Sequence, residues 1–237
     1  MDTFLSAQWE NLIMANYPVN PEVLKPYLPK GVELDLYENK AYVSLVGFMF
    51  KKTSLFNIPI PFFGTFEEIN LRFYVKRMEG NSIKRGVVFI NETVPYKAVA
   101  WLANKLYKEH YIAIPTKNEI EITPTSKNIK YHWKINKQWN HIAVNTAING
   151  EEMLTDSIEE FIFEHYYGYT KVNNQLSQEY KVNHPRWLVN KVTDYSINCD
   201  FKSMYGNDFA FLSNVQPHSV IFAEGSPVTV KWKRTSF

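Results

Sequence analysis

An alternating run within residues 66–75, FEEINLRFYV, constrains the fold of this chain more than any other feature. Alternate positions are apolar, namely Ile69, Leu71, Phe73 and Val75. The positions between them are polar, namely Glu68, Asn70, Arg72 and Tyr74. A period of two over this length predicts a β-strand with one face packed on an apolar core.

The polar face of this strand carries a carboxylate, an amide, a guanidinium and a phenol, which all make directed hydrogen bonds. Side chains on one face of a strand are about 7 Å apart, so Arg72 can reach Asn70, Tyr74 or a bound anion. Two interpretations follow from the residues alone. The face is either solvated surface, the commoner arrangement in antiparallel sheets, or the wall of a binding cavity.

Composition indicates a globular protein and excludes several functional classes. Of the 237 residues, 45% are hydrophobic and 16% aromatic, which favours a well-filled interior. A net charge of +2 without a basic run gives no reason to expect nucleic acid or an anionic membrane as partner. Cys199 is the single cysteine, which excludes an intrachain disulfide and a cysteine-cluster zinc site. With neither an apolar span nor a leader pattern, we expect a cytoplasmic protein of one domain over residues 1–237.

The remaining patterns predict many strands and about three short helices. Asn20 and Pro21 are typical of a helix start, and apolar spacing predicts helices at 95–107 and from Asp156 or Ser157 to about 166. Asn149-Gly150 is a turn signal, and Gly168 is expected to end the third helix. The predicted strands cover residues 32–37, 40–50, 66–78, 84–93, 119–123, 129–135, 141–148, 189–201, 219–224 and 228–232.

Few residues outside the alternating strand suggest chemistry. The six histidines lack metal-ligand spacing, and no nucleotide-binding loop is present, so we expect neither metal nor cofactor. The aromatic stretch 160–169 places Glu164 and His165 either at a pocket mouth or, as we prefer, on a helix that packs aromatic rings onto the sheet. Lys117 follows Pro115-Thr116 and is a candidate nucleophile toward carbonyls only if an apolar site removes its charge.

These fragments together resemble the uncharacterised bacterial YqjF-like family, which is similar in fold to acetoacetate decarboxylase. The resemblance spans most of the chain. It rests above all on Glu68-x-Asn70-x-Arg72-x-Tyr74, supported by Leu34-Asp35, Gly86-Val87-x-Phe89, Phe161-x-x-Glu164-His165-Tyr166 and His184-Pro185-x-Trp187.

The resemblance implies an α+β fold that is mainly antiparallel β, built as a closed cone-like β-barrel with a central cavity. The polar strand would line that cavity, and Arg72 would hold a carboxylate or enolate. The decarboxylase forms an imine from the first of two lysines that follow a proline. In this resemblance Pro115-Thr116-Lys117 is the comparable tripeptide, so Thr116 would replace the nucleophile and only Lys117 would remain.

Three functional hypotheses follow. The first is a protein that binds a small carboxylate or keto acid through Glu68, Asn70, Arg72 and Tyr74, with Glu68 as an acid–base group if a reaction occurs. The second is a lyase or hydratase that forms an imine through Lys117. The third is a non-catalytic interaction protein whose aromatic surface binds a partner or a second copy in a homo-oligomer.

Overall fold

The computed structural model describes residues 3–232 and 235–237, and within them most of the chain is β-sheet. Fifteen strands lie in these residues: β1 (Thr3–Val19), β2 (Glu33–Leu34), β3 (Ala41–Leu55), β4 (Ile58–Pro59), β5 (Phe66–Glu79), β6 (Ser82–Val94), β7 (Tyr111–Ala113), β8 (Thr116–Ile122), β9 (Ser126–Ile135), β10 (Gln138–Glu152), β11 (Tyr167–Lys171), β12 (Ser177–Asn183), β13 (Leu188–Asn198), β14 (Ser219–Lys231) and β15 (Thr235–Ser236). The fold is therefore the mostly-sheet α+β class that the sequence indicated.

The helices are short, and local sequence explains where they begin. They are α1 (Pro21–Leu24), α2 (Lys97–Tyr107), α3 (Ile158–Phe163) and α4 (Phe201–Tyr205), with 3-10 turns at Lys25–Tyr27 and Asn207–Asn214. The Asn20 side chain accepts a hydrogen bond from the amide of Glu22, and Ser157 does the same for the amide of Glu160. These caps satisfy backbone donors that have no partner within the helix, and both predicted helix starts are confirmed.

Seven strands are hydrogen-bonded in a ring. The order runs β12, β11, β6, β5, β3, β1 and β14, and β14 pairs again with β12. All these pairings are antiparallel except that of β6 with β11. Strand β5 lies between β3 and β6, with Arg72 opposite Ser44 on one side and Phe89 on the other.

A second layer continues from β14 through β13, β10, β9 and β8 and covers one face of the ring. The apolar residues of β5 pack against this layer, where they share a core with Tyr131, Trp133 and Ile142. The other face of β5 looks into the ring, where aromatic side chains such as Phe48 and Phe66 form a separate core. Both faces of β5 therefore contact buried residues: one face packs in the core shared with the second layer, and the other in the core inside the ring.

Three local features differ from the sequence-based expectations. Gly150 lies within β10 at a register shift, and not in a turn; a Cβ there would stand 2.9 Å from the Cβ of Leu188. Gly168 does not end α3 but lies in β11, where a Cβ would stand 2.1 Å from the Tyr180 ring. Both glycines are explained by close packing across strands, which sequence patterns do not show. The sequence analysis also assigned no strand to residues 3–19, the longest strand in the described chain.

The helices in the described residues are short compared with the thickness of a membrane. The longest α-helix in the described residues has eleven residues, and none there combines the length and apolar character that crossing a bilayer requires.

Candidate functional site

A pocket of about 150 Å³ lies inside the ring of strands. Its walls are mainly apolar and aromatic, with contributions from β1, β3, β5, β6, α2 and the segment after α3. Apolar walls with a few polar groups are typical of ligand sites in proteins. The polar lining residues are the basis for assigning chemistry to this pocket.

The polar face of β5 supplies three of those lining residues, Glu68, Asn70 and Arg72. Arg72 is half-buried, whereas Tyr74 is buried, at 1% exposure, but does not line the pocket. Its hydroxyl lies 2.6 Å from the Ser44 hydroxyl, and its ring packs against those of Phe161 and His165. Three of the four predicted side chains therefore reach the pocket, and the fourth supports its wall.

Glu68 is completely enclosed and carries two hydrogen bonds. Asn70 donates to its Oε1 at 3.0 Å, and the Tyr111 hydroxyl donates to its Oε2 at 3.1 Å. Burial raises the pKa of Glu68 to about 7 and outweighs the opposing effect of these hydrogen bonds and of Arg72. Glu68 can therefore hold or release a proton near neutral pH.

Two further glutamates line the same pocket, and the sequence analysis identified neither of them. Glu109 accepts hydrogen bonds from the hydroxyls of Thr170 and Tyr180, and burial raises its pKa to about 7. Burial, together with the charges of Glu109 and Glu68, raises the pKa of Glu92 well above its ordinary value. The sequence offers no signal for either residue, since Glu92 lies between Asn91 and Thr93 in a strand of mixed polarity.

Arg72 is the one arginine or lysine among the described lining residues, and it is half-buried. Its Nη2 donates to the carbonyl oxygen of Ile162 at 3.2 Å and lies 3.5 Å from the sulfur of Met14. Among the described residues, no carboxylate forms an ion pair with Arg72, and its buried Nε has no hydrogen-bond partner. The guanidinium thus keeps a free donor at the pocket wall.

Two histidines complete the polar lining, His165 and His184. The Nε2 of His165 lies 3.2 Å from Asp35, whose carboxylate also pairs with Arg85. The Nδ1 of His184 lies 2.9 Å from the carbonyl oxygen of Pro185, and its ring is stacked between Tyr166 and Trp187. The stretch 160–169 packs aromatic rings, as Phe161 does against Tyr74, and it also brings His165 to the pocket.

Lys117 lies far from this constellation in the fold. It is on β8, at the edge of the second layer, with a side chain 51% exposed, 3.7 Å from Glu119 and above the Trp139 ring. Its neighbour Thr116 donates a hydrogen bond at 2.6 Å to Glu67, which does not line the pocket. No lysine of the described chain lines the pocket.

Metal and thiol chemistry find no support in the described residues. No group of three histidine, cysteine, aspartate or glutamate side chains there is arranged to hold a metal ion. Cys199 is buried outside the pocket, and burial raises the pKa of its thiol well above its ordinary value.

Solved structures similar to this chain share its fold. An acetoacetate decarboxylase-like enzyme from Sphingomonas wittichii RW1 has a TM-score of 0.67 at 9% identity. The alignment covers 100% of this chain and 94% of the enzyme chain. The enduracididine biosynthesis enzyme MppR, complexed with pyruvate, has a TM-score of 0.66 at 11% identity, covering 100% and 91%. Acetoacetate decarboxylase from Legionella pneumophila has a TM-score of 0.62 at 10% identity, covering 96% and 84%. At such identities the likeness shows an acetoacetate decarboxylase-like fold and nothing about the reaction.

Sequence comparison gives a closer relationship. The chain is 27% identical to the uncharacterized protein YqjF of Bacillus subtilis (strain 168) over 199 residues, which cover 80% of this chain and 77% of YqjF. Residues 6–227 match DUF2071, a family of uncharacterized conserved proteins. With an acetoacetate decarboxylase-like fold and a match over nearly its whole length, this chain belongs to the DUF2071 family.

Proposed function

We propose that the pocket binds a small carboxylic acid, in the first place a keto acid, whose carboxylate pairs with Arg72. The observation that carries this proposal is a guanidinium at the wall of an apolar pocket without a carboxylate partner in the described residues. Arg72 is half-buried, so its guanidinium is partly removed from water and has no opposite charge among the described residues to offset that loss. A ligand carboxylate would supply that charge and accept the free Nε hydrogen.

Other polar atoms of the wall support a polar ligand. The buried atoms without a hydrogen-bond partner include Trp9 Nε1, Asn70 Oδ1, Arg72 Nε, Glu92 Oε2 and His165 Nδ1, and all five residues line this pocket. Buried polar groups in native proteins are normally satisfied, so such a concentration points to bound water or a ligand. A volume of about 150 Å³ is room for roughly five water molecules at about 30 Å³ each, which also suits a small organic acid.

The lining residues favour acid–base chemistry over imine chemistry. An imine requires a lysine amine at the substrate carbonyl, and Lys117 lies on an exposed edge strand. Glu68 instead has a pKa of about 7, which suits proton transfer near neutral pH. The neighbour MppR is described as complexed with pyruvate, which makes pyruvate a reasonable first probe.

The test is a thermal-shift screen of pyruvate, 2-oxobutanoate, acetoacetate and acetate at millimolar concentration, followed by calorimetry. We expect at least one keto acid to raise the melting temperature, while the uncharged methyl pyruvate does not. Arg72→Ala should weaken binding about ten- to hundredfold, because it removes a charge-assisted hydrogen bond of 1.5–3 kcal/mol. Arg72→Lys keeps the charge but loses the bidentate geometry, so its affinity should be intermediate.

Lys51→Ala is a matched control for the loss of one positive charge. Lys51 lies on the neighbouring strand β3, pairs with Glu10 on the surface and does not line the pocket. Its affinity for the keto acid should equal that of the unmodified protein. A keto acid that binds the unmodified and Arg72→Ala proteins equally well would remove Arg72 from the site.

A further inference from the structure

The imidazole of His165 is held in one orientation by groups on three sides. Its Nε2 lies 3.2 Å from Oδ2 of Asp35, and its ring packs against Tyr74 and Phe161 with centroids 4.9 and 5.2 Å away. Asp35 is itself buried, at 3% exposure, and accepts a second contact at 3.0 Å from Nε of Arg85. Neither ring nor carboxylate is free to reorient without losing these contacts.

This arrangement determines which nitrogen of His165 carries the proton. Burial alone would raise the pKa of Asp35, but His165, Arg85 and Lys76 together lower it, so Asp35 is an anionic acceptor. The Nε2 of His165 must then be the donor, and the neutral ring has its lone pair on Nδ1. Burial lowers the pKa of His165, which favours that neutral form. Nδ1 is buried and has no hydrogen-bond partner.

Arg72 and His165 meet at the same end of α3. The Arg72 guanidinium donates to the carbonyl oxygen of Ile162, three residues before His165, and both side chains line the pocket. Each also has an unsatisfied nitrogen, a donor on Arg72 and an acceptor on His165. For a carboxylate held by Arg72, we take the neighbouring carbon atoms to lie on the His165 side of the pocket.

We propose that His165 is a general base for a keto acid held at Arg72, with Asp35 as its positioning residue; this inference rests on the proposed binding function. The Nδ1 lone pair takes a proton from the carbon next to the ketone, and an N–H bond forms as the C–H bond breaks. The C–H electron pair becomes the new C=C bond, and the carbonyl π pair moves onto oxygen to give an enolate. Arg72 stabilises that negative charge, and return of a proton from His165 to carbon restores the keto acid.

The experiment follows hydrogen–deuterium exchange of pyruvate and 2-oxobutanoate in D₂O by proton NMR, with binding measured in parallel by calorimetry. The full-length protein should accelerate loss of the proton signal next to the ketone above the buffer rate. His165→Gln keeps an amide donor for Asp35 but has no basic nitrogen. It should lower the accelerated rate at least a hundredfold and leave the affinity for pyruvate within about threefold.

A second variant separates catalysis from structure. Asp35→Asn removes the anionic acceptor that fixes the His165 tautomer, so exchange should fall at least tenfold while circular dichroism and pyruvate affinity stay close to those of the unmodified protein. His218→Gln is the matched control, because His218 is exposed and does not line the pocket, and its exchange rate should be unchanged.

Two results would overturn the assignment and leave the binding proposal intact. The first is pyruvate binding without any acceleration of exchange. The second is exchange that persists in His165→Gln; its loss in His184→Gln or in Glu68→Gln would then identify another lining residue as the base. Absence of binding by every keto acid would instead count against the proposed function itself.

Discussion

The two faces of strand β5 come from one ten-residue stretch, and both are buried, yet their side chains are satisfied in different ways. Ile69, Leu71 and Phe73 are completely buried against the second layer, where apolar packing needs no specific partner. Glu68 and Arg72 face the interior of the ring, where each must find a hydrogen bond or a charge. The apolar face needs only packing against other residues of the chain. The polar face retains buried atoms that have no hydrogen-bond partner.

The two faces of β5 are therefore expected to contribute to different properties, one to stability and the other to ligand binding. A face satisfied by packing contributes to the free energy of folding and has no group that requires a ligand as partner. A face with unsatisfied polar atoms has a cost that a ligand can offset, and such groups are concentrated at functional sites. Substitutions on the two faces of one strand should therefore separate the two properties.

The largest effect is expected on the packed face. Phe73→Ala removes a ring with 0% exposure and leaves a cavity between β5 and the second layer. The free energy of unfolding should fall by about 3–5 kcal/mol in urea denaturation. At a temperature where the variant is still folded, its affinity for a keto acid should change little. A loss below about 1 kcal/mol would contradict the packing argument.

The next effect concerns the pH dependence set by Glu68. In the unfolded chain this carboxyl ionises near its ordinary pKa of 4.5, whereas burial keeps it protonated until about pH 7. The folded state binds more protons in that interval, so stability should fall as pH rises from about 4.5 to 7. The rise in pKa corresponds to roughly 3 kcal/mol at the upper end of the interval.

Glu68→Gln tests this directly, because the amide does not ionise. Urea midpoints measured between pH 4.5 and 8 should decline less steeply for the variant than for the unmodified protein. Some slope should remain, since burial raises the pKa values of Glu92 and Glu109 in the same direction. Identical slopes in both proteins would mean that folding does not raise the pKa of Glu68.

The smallest effect is expected at Tyr74, which belongs to the polar face but does not line the pocket. Tyr74→Phe removes the hydroxyl that lies 2.6 Å from Ser44, while Ser44 keeps its hydrogen bond to Asn16. Stability should fall by about 1 kcal/mol, and keto-acid affinity should be unchanged within error. A large loss of affinity would show that this position contributes to the ligand site.

Sequence patterns predicted local elements well and tertiary contacts poorly. The alternation of β5, the following strand and the capped starts of α1 and α3 are local properties, and the structure confirms them. The Asn149-Gly150 turn was wrong because this glycine serves close packing against Leu188 inside a long strand. The reason for a glycine lies in its spatial neighbours, which a single sequence does not display.

The residues of the candidate site were likewise predictable only where a local pattern connected them. Glu68, Asn70 and Arg72 were identifiable because they alternate on one strand. Glu92, Glu109 and Asp35 were not, because they come from separate segments that meet only when the ring of strands forms. For His165 the sequence left a pocket mouth and a packing role open and favoured packing. Lys117 was a candidate on local sequence, yet the fold places it on the exposed edge of β8.

The chain's own order of residues determined that β5 would be a strand with one apolar and one polar face, because side chains alternate along any extended backbone. It did not determine what either face would meet. Only the tertiary structure enclosed the polar face inside a ring of strands, and enclosure is what gives its groups their chemistry. Removal from water raises the pKa of Glu68. The same fold leaves the buried Nε of Arg72 without a hydrogen-bond partner among the described residues and orients His165 against Asp35.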